Sequence, residues 1–309
     1  MKKLLMMLFG AILATNAMAQ AGVAGYQVDS MYSVVNDVRT MKVEYEYNEL
    51  GLVTAEYSYS YMVDGQFVST PVPVGKNLYF YNEKGKPTRS ESYDYEDGKW
   101  VMSSRMEYTD YNEENGQPCV SISYEQDKEN PSEEMQPTTK IIVHKFHNFC
   151  DEDEDVYEYQ NGEWVLTMTN HYEFDEWDNK VRAIAEILFE GEVTGSMEMT
   201  WAYDSHHNTT QSTTNVSMMG MNMTTTTTYT NEYDANGCLV SQVQNSDEQG
   251  TMTTYYCWSA VSPTGIKEIK NEELRMKNIA DAMYDLSGRR VANSQSSIYI
   301  MNGKKFFRK

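Results

Sequence analysis

Positive charge is scarce in this 309-residue sequence: 25 Lys and Arg stand against 46 Asp and Glu, a formal charge of −21. Such a surface repels nucleic acid phosphates and anionic lipid, so neither is an expected partner. Long apolar runs are scarce too. The one from Leu4 to Leu13, broken only by Gly10, follows Lys2 and Lys3 and precedes Ala17-Met18-Ala19, the pattern of a signal peptide over 1–19. Cutting before Gln20 leaves nothing of about 20 residues to span a bilayer as a helix. The expectation is an exported, soluble chain, at the outer-membrane surface or beyond it, with the periplasm as the alternative.

Catalytic signatures are missing as well. There is no G-x-S-x-G, no H-E-x-x-H and no phosphate-cradling glycine loop ahead of a helix. His144 and His147 are three apart in an expected strand and point to opposite faces, while His206 and His207 are expected in an exposed turn. The run Asp151-Glu152-Asp153-Glu154-Asp155 has the opening spacing of a calcium loop, but Val156 and Gly162 stand where its Gly and bidentate Glu belong. It reads as a solvated acidic turn. No catalytic residue, metal or cofactor is expected, and a glycoside hydrolase using two carboxylates is the lesser reading.

What is abundant is tyrosine, 24 residues of it, and the tyrosines recur in a pattern. "YNELGLV" at 47–53, "YNEKGKP" at 81–87, "YNEENGQP" at 111–118 and "YDANGCL" at 233–239 share an aromatic, an Asn or Asp, and a Gly. Phe174-Asp175 and Tyr203-Asp204 open related stretches, and a degenerate copy lies near Phe146. The spacing is about 30 residues. Midway between them stand "DGQFV" at 64–68, "DGKWV" at 97–101 and "NGEWV" at 161–165, whose Asp-Gly and Asn-Gly pairs supply the positive φ of tight hairpins. The flanks alternate with period two, as in Met41, Val43, Tyr45 and Tyr47 against Lys42, Glu44 and Glu46. The Thr-rich stretch 209–230 reads as two strands folded about 217–222.

These signals give an all-β chain: an antiparallel meander of about 30-residue, two-hairpin repeats, roughly a dozen strands in a long twisted or curled sheet over 20–258. A linker over 259–282 and a tail over 283–309 with a β-hairpin at Asn302-Gly303 follow. The four cysteines pair by near-symmetry about turns, predicting disulfides Cys119–Cys150 and Cys238–Cys257. Tyr57, Tyr59, Tyr61, Trp100, Trp164 and Trp201 are the candidate binding residues, aromatic surfaces on which sugars or a protein partner stack if exposed.

Two resemblances add to this. "TGIKEI", "YDLSGRRV" and "IYIMNGKK" resemble the C-terminal sorting tails of proteins exported by type IX secretion, which implies export machinery as a partner of the tail. "YDANGCL" is similar to the YD repeats of Rhs-type surface proteins, which implies a β-repeat architecture. The whole also resembles the Tyr-rich secreted proteins of gut and oral anaerobes. The resulting expectation is a secreted or cell-surface protein that binds glycans or surface proteins without catalysis, with a self-assembling structural component as the alternative.

Overall fold

The computed structural model of the chain describes residues 26–126, 134–218, 220–246 and 250–260, and four short strands between 283 and 307. The signal peptide and residues 261–282 of the linker lie outside them. The described residues form strands and turns only. In chain order these are β1 (Tyr26–Val35), β2 (Val38–Tyr47), β3 (Val53–Val63), β4 (Gln66–Tyr81), β5 (Pro87–Glu96), β6 (Lys99–Tyr111), β7 (Pro118–Glu125) and β8 (Gln136–His147). The second half continues with β9 (Cys150–Gln160), β10 (Glu163–Phe174), β11 (Lys180–Phe189), β12 (Glu192–Tyr203), β13 (Thr209–Met218), β14 (Met221–Tyr233), β15 (Leu239–Ser246) and β16 (Gly250–Ala260).

Each strand pairs with its neighbours in sequence, and β1 pairs with β16 from Tyr26↔Ala260 to Val35↔Met252. The expected twisted or curled antiparallel meander is therefore a closed barrel, with sixteen strands where roughly a dozen were expected. Closure removes both edges, which an open meander would leave as unpaired N–H and C=O groups. The Thr-rich stretch is β13 and β14, as its branched side chains suggest. In the tail, β17 (Met283–Tyr284), β18 (Arg290–Val291), β19 (Ile298–Met301) and β20 (Lys304–Phe307) form a separate sheet, with β19 and β20 paired across Asn302-Gly303.

Two kinds of turn occupy the two rims. One rim carries two-residue hairpins in left-handed backbone, such as Asp97-Gly98 (φ 50° and 78°) and Asn161-Gly162 (φ 52° and 90°). The other rim carries the aromatic-Asx stretches. The degenerate copy near Phe146 is a two-residue hairpin at Asn148. In the other six the Asn or Asp side chain accepts two backbone N–H bonds, as Asn48 does from Leu50 and Leu52, and Asp234 does from Asn236 and Cys238. This closes the loop on itself. The tyrosine before it reaches back to the preceding repeat. Tyr47, Tyr81, Tyr111 and Tyr203 donate to the carbonyls of Val28, Val53, Pro87 and Lys180 at 2.6–2.8 Å. Neighbouring turns are also linked side by side. Asn115 donates to the Asn148 carbonyl, Asn148 to Asp178, and Tyr233 to Asp204.

The strand faces separate by burial. Val43, Val156, Ala183, Ala185, Ile187, Met197, Trp201 and Tyr256 are buried and share the inner face by register. Sixteen strands enclose more space than inward side chains fill. In agreement, inward Asp151, Tyr172 and Lys180 all keep solvent-accessible surface.

All four cysteines are free, which overturns both expected disulfides. The whole of β8 lies between Cys119 in β7 and Cys150 in β9, so two interstrand steps, about 10 Å, separate them. For the other pair, Ser241↔Tyr255 sets a register that brings Cys257 level with Leu239, not Cys238. One residue of slip puts the thiols on opposite faces: Cys238 is fully buried and Cys257 exposed.

Candidate binding site on the outer wall

The tight hairpins hold the aromatic residues that the sequence singles out. Gly98 and Gly162 take φ values that side chains resist, and the strands leave these turns with Trp100 facing Tyr95 and Trp164 facing Tyr159. Each pair meets edge to face, with centroids 4.9 Å apart at 64° and 5.0 Å apart at 61°. A lysine from the preceding strand completes each group. Lys76 Nζ lies 4.2 Å from the Tyr93 ring centre and 5.0 Å from that of Trp100, while Lys140 Nζ lies 4.5 Å from Tyr157 and 5.0 Å from Trp164. Below them a carboxylate accepts the inner tyrosine's hydroxyl: Tyr93 to Glu91 at 2.7 Å, Tyr157 to Asp155 at 3.2 Å. Every member of one group is offset by 64 residues from its counterpart. The groups are copies of one outward-facing site, made by "ESYDYEDGKWV" at 91–101 and "DVYEYQNGEWV" at 155–165.

The copies differ beneath the aromatic tier. Around Glu91, Arg89 lies 3.0 Å from that carboxylate and Arg105 lies 3.2 Å from Glu107, so opposite charges fill the surface. Burial, the Glu91 hydrogen bond and its charge together push the Tyr93 hydroxyl up to about 12. Around Asp155 the wall is open instead. A shallow cavity of about 320 Å³ is lined by His144, Asp153, Asp155, Thr169, His171 and Glu186, among others. His144 pairs with Asp155 at 2.9 Å and His171 with Asp153 at 2.5 Å. The expected acidic turn is therefore a strand, β9, whose Asp153 and Asp155 point outward while Asp151 and Glu154 point inward. The uniform acidity of the run hides this division, and the irregular register at Glu152 breaks the simple alternation that would otherwise assign the faces.

The remaining candidates divide. Tyr57, Tyr59 and Tyr61 are half-buried; the first two lie on the outer face, level with Glu44 and Lys42, and Lys42 Nζ is 6.0 Å from the Tyr59 ring centre. Trp201 is 9% exposed and faces inward beside Met197 and Met199, so it belongs to the core and not to a binding surface. Sequence reasoning missed Lys76, Lys140, Tyr93, Tyr95, Tyr157 and Tyr159. The signal that finds them is the 64-residue offset, twice the unit length, which a search for single repeats passes over. Among the described residues, no cluster of His, Cys, Asp or Glu is placed to hold a metal ion.

Chemically the open copy offers aromatic edges and faces, carboxylate acceptors, imidazoles and a hydroxyl. That set suits a ligand with both apolar faces and many hydroxyls. Its negative charge disfavours anionic ligands.

No family model and no curated protein matches the chain. Among solved structures, a porin-like protein from Bacteroides uniformis is 12% identical, with 76% of this chain aligned to 98% of that one at a TM-score of 0.48. A protein of unknown function from Bacteroides fragilis is 18% identical over 42% of this chain and 90% of its own, at 0.33. The Photorhabdus luminescens Tc holotoxin pore is 13% identical over 74% of this chain but only 12% of its own, at 0.25. All three scores are below 0.5, and these likenesses carry nothing about the site.

Proposed function

We propose that this protein is an exported, water-facing β-barrel that binds neutral glycans, without catalysis, at the aromatic groups of its outer wall. The observation that carries the reading is the second copy of the lysine–tyrosine–tryptophan group, at Lys140, Tyr157, Tyr159 and Trp164, set directly above the open polar cavity. Stacking on Trp164 and Tyr159 would take the apolar face of a sugar ring, and Asp153, Asp155 and His171 its hydroxyls.

The charge of the outer wall supports the water-facing part. Lys42–Glu44, Arg89–Glu91, Arg105–Glu107 and Arg182–Glu198 lie along the strands on the outward face. A barrel spanning a bilayer presents an apolar band about 25 Å tall there, and each Lys or Arg at the midplane costs about 2–4 kcal/mol.

The test is a titration of the full chain with starch, mannan, β-glucan and xylan alongside a polyuronate, followed by Trp fluorescence. We expect a saturable change with a neutral polymer that Trp164→Ala abolishes while circular dichroism stays that of a β protein. Binding confined to the polyuronate, or a response unchanged in Trp164→Ala, would sink the reading.

A second reading, self-association, is favoured by one observation. Met62, Phe67, Phe189, Val193 and Met221 are 50–69% exposed, and all flank tight hairpins on one rim. Light scattering over a range of concentrations tests it, and a strict monomer at high concentration would end it.

A further inference from the structure

The two copies of the aromatic group lie at the same height, each fixed by its own tight hairpin, in β5 and β9. Four interstrand steps of sixteen separate them, a quarter of the way round the wall. At about 4.8 Å per strand that is about 19 Å along the surface. A related group stands four strands in the other direction. In β1, Tyr32 occupies the place of Tyr93 and Tyr157, five residues before the second residue of its hairpin, Asp37. Arg39 lies 4.5 Å from the Tyr32 ring centre, and Tyr255 of β16 stacks on it at 5.0 Å and 18°. The fourth position, β13, falls in the Thr-rich hairpin and has no aromatic ring. Half the wall therefore carries three such groups at four-strand intervals, each beside its own hairpin, with the single contacts of Lys42 on Tyr59, Arg89 on Phe80 and Arg105 on Tyr124 between them. Among the described residues the other half has only the inward contact of Lys180 on Tyr172.

From this spacing we infer that the groups engage one polymer chain together, so that the ligand is a long, flexible, uncharged polysaccharide and not a short oligosaccharide. The inference rests on the glycan reading above. A quarter turn of a convex wall separates adjacent groups, so a straight, stiff chain touching one leaves the next, whereas a bending chain reaches both. Each contact by itself is weak, a single stacked ring near a lysine. Once one segment is held, the next site sees the tethered chain at an effective concentration set by its length, which raises affinity by about 10²–10⁴ with no new contact. The repeat unit then has a function besides closing the barrel: it writes the same site at regular intervals.

The experiment compares a soluble β-glucan or mannan of about a hundred sugars with a hexasaccharide of the same linkage, by calorimetry on the full chain. The expected result is a polymer dissociation constant about 100-fold or more below that of the hexasaccharide. Trp100→Ala should remove most of that gain, and the number of hexasaccharide sites seen by calorimetry should fall by one. Lys76→Met is a milder second disruption of the same group, for use if Trp100→Ala does not fold. Equal constants for polymer and hexasaccharide, or a polymer gain that survives both variants, would overturn the inference and leave the glycan reading standing. Binding of neither saccharide would overturn both.

Discussion

At the scale of the residue, the repeated tyrosine is explained by what its hydroxyl touches. In Tyr47, Tyr81, Tyr111 and Tyr203 it satisfies a carbonyl of the strand one repeat earlier, and burial together with the nearby Asp29 holds the Tyr47 hydroxyl up at about 12. Tyr81→Phe keeps the ring and loses only the bond to Val53, so a cost of about 1 kcal/mol is expected in urea unfolding. Asp204 is the more heavily used group. Its carboxylate accepts from Tyr233, Asn231 and the backbone N–H groups of His206 and Asn208. Burial alone would raise its pKa; those hydrogen bonds outweigh burial and hold it below the usual carboxylate range. Asp204→Ala strands four donors and should cost about 1–3 kcal/mol at pH 7. Because the folded pKa is depressed, this contribution is complete above the unfolded value near pH 4 and is lost as pH falls through the folded one. The gap between wild type and variant should therefore narrow progressively as unfolding is repeated at pH values below about 4, and a gap independent of pH would show that the carboxylate's charge is not involved.

At the scale of the element, the hairpins set register, and register decides which residues meet. Gly162 has φ 90°, and a Cβ there would meet nothing within 4 Å. Gly162→Ala should cost about 1–2 kcal/mol from backbone strain alone. Gly195 is the opposite case: its φ is ordinary, but a Cβ would lie 3.0 Å from the Ser217 carbonyl oxygen, so Gly195→Ala should act through strand spacing instead. Thermal unfolding of the two variants with D-Ala at each position separates them, since D-Ala relieves strain at Gly162 only. The turns and strands were legible because Asp-Gly, Asn-Gly and period-two alternation are local chemistry. The disulfides were misread for the same reason: sequence symmetry about 247 and 248 misses the true register by one residue. Between Cys119 and Cys150 it hides an entire strand, β8. Local patterns locate strands, but bulges such as those on either side of Lys145 change the count across a pair, and the face a residue takes follows the count. The outer site was half legible. Trp100 and Trp164 stand beside turn signals, whereas Lys76 and Lys140 reach them from a neighbouring strand that only pairing identifies.

At the scale of the molecule, closure was not legible, because nothing local to β1 or β16 marks them as partners; their pairing follows from sixteen similar strands accumulating twist until the ends meet. Closure also creates an interior, and with it a titration that an open sheet would not have. Inward Asp151 is surrounded by barrel wall near Glu154, whose carboxylate accepts from Asn170 and Tyr172 at 2.7 Å. This enclosure, with the charge of Glu154 second, pushes the Asp151 carboxyl up to about 6 against the opposing effect of Lys180. A raised carboxyl binds its proton more tightly in the folded state. The stability it contributes is complete below the unfolded value near pH 4 and is lost as pH rises through about 6. Water reaches Asp151 from the lumen and screens the interaction, so the loss is about 1 kcal/mol rather than the roughly 3 kcal/mol that a fully dry site would give. Asp151→Asn cannot ionise and escapes that loss. The variant should match wild type in urea at pH 4 and exceed it by about 1 kcal/mol at pH 7.5. Equal midpoints at both values would mean that the lumen is wet enough to leave Asp151 an ordinary carboxylate, while a difference approaching 3 kcal/mol would mean that inward side chains fill the barrel and exclude water.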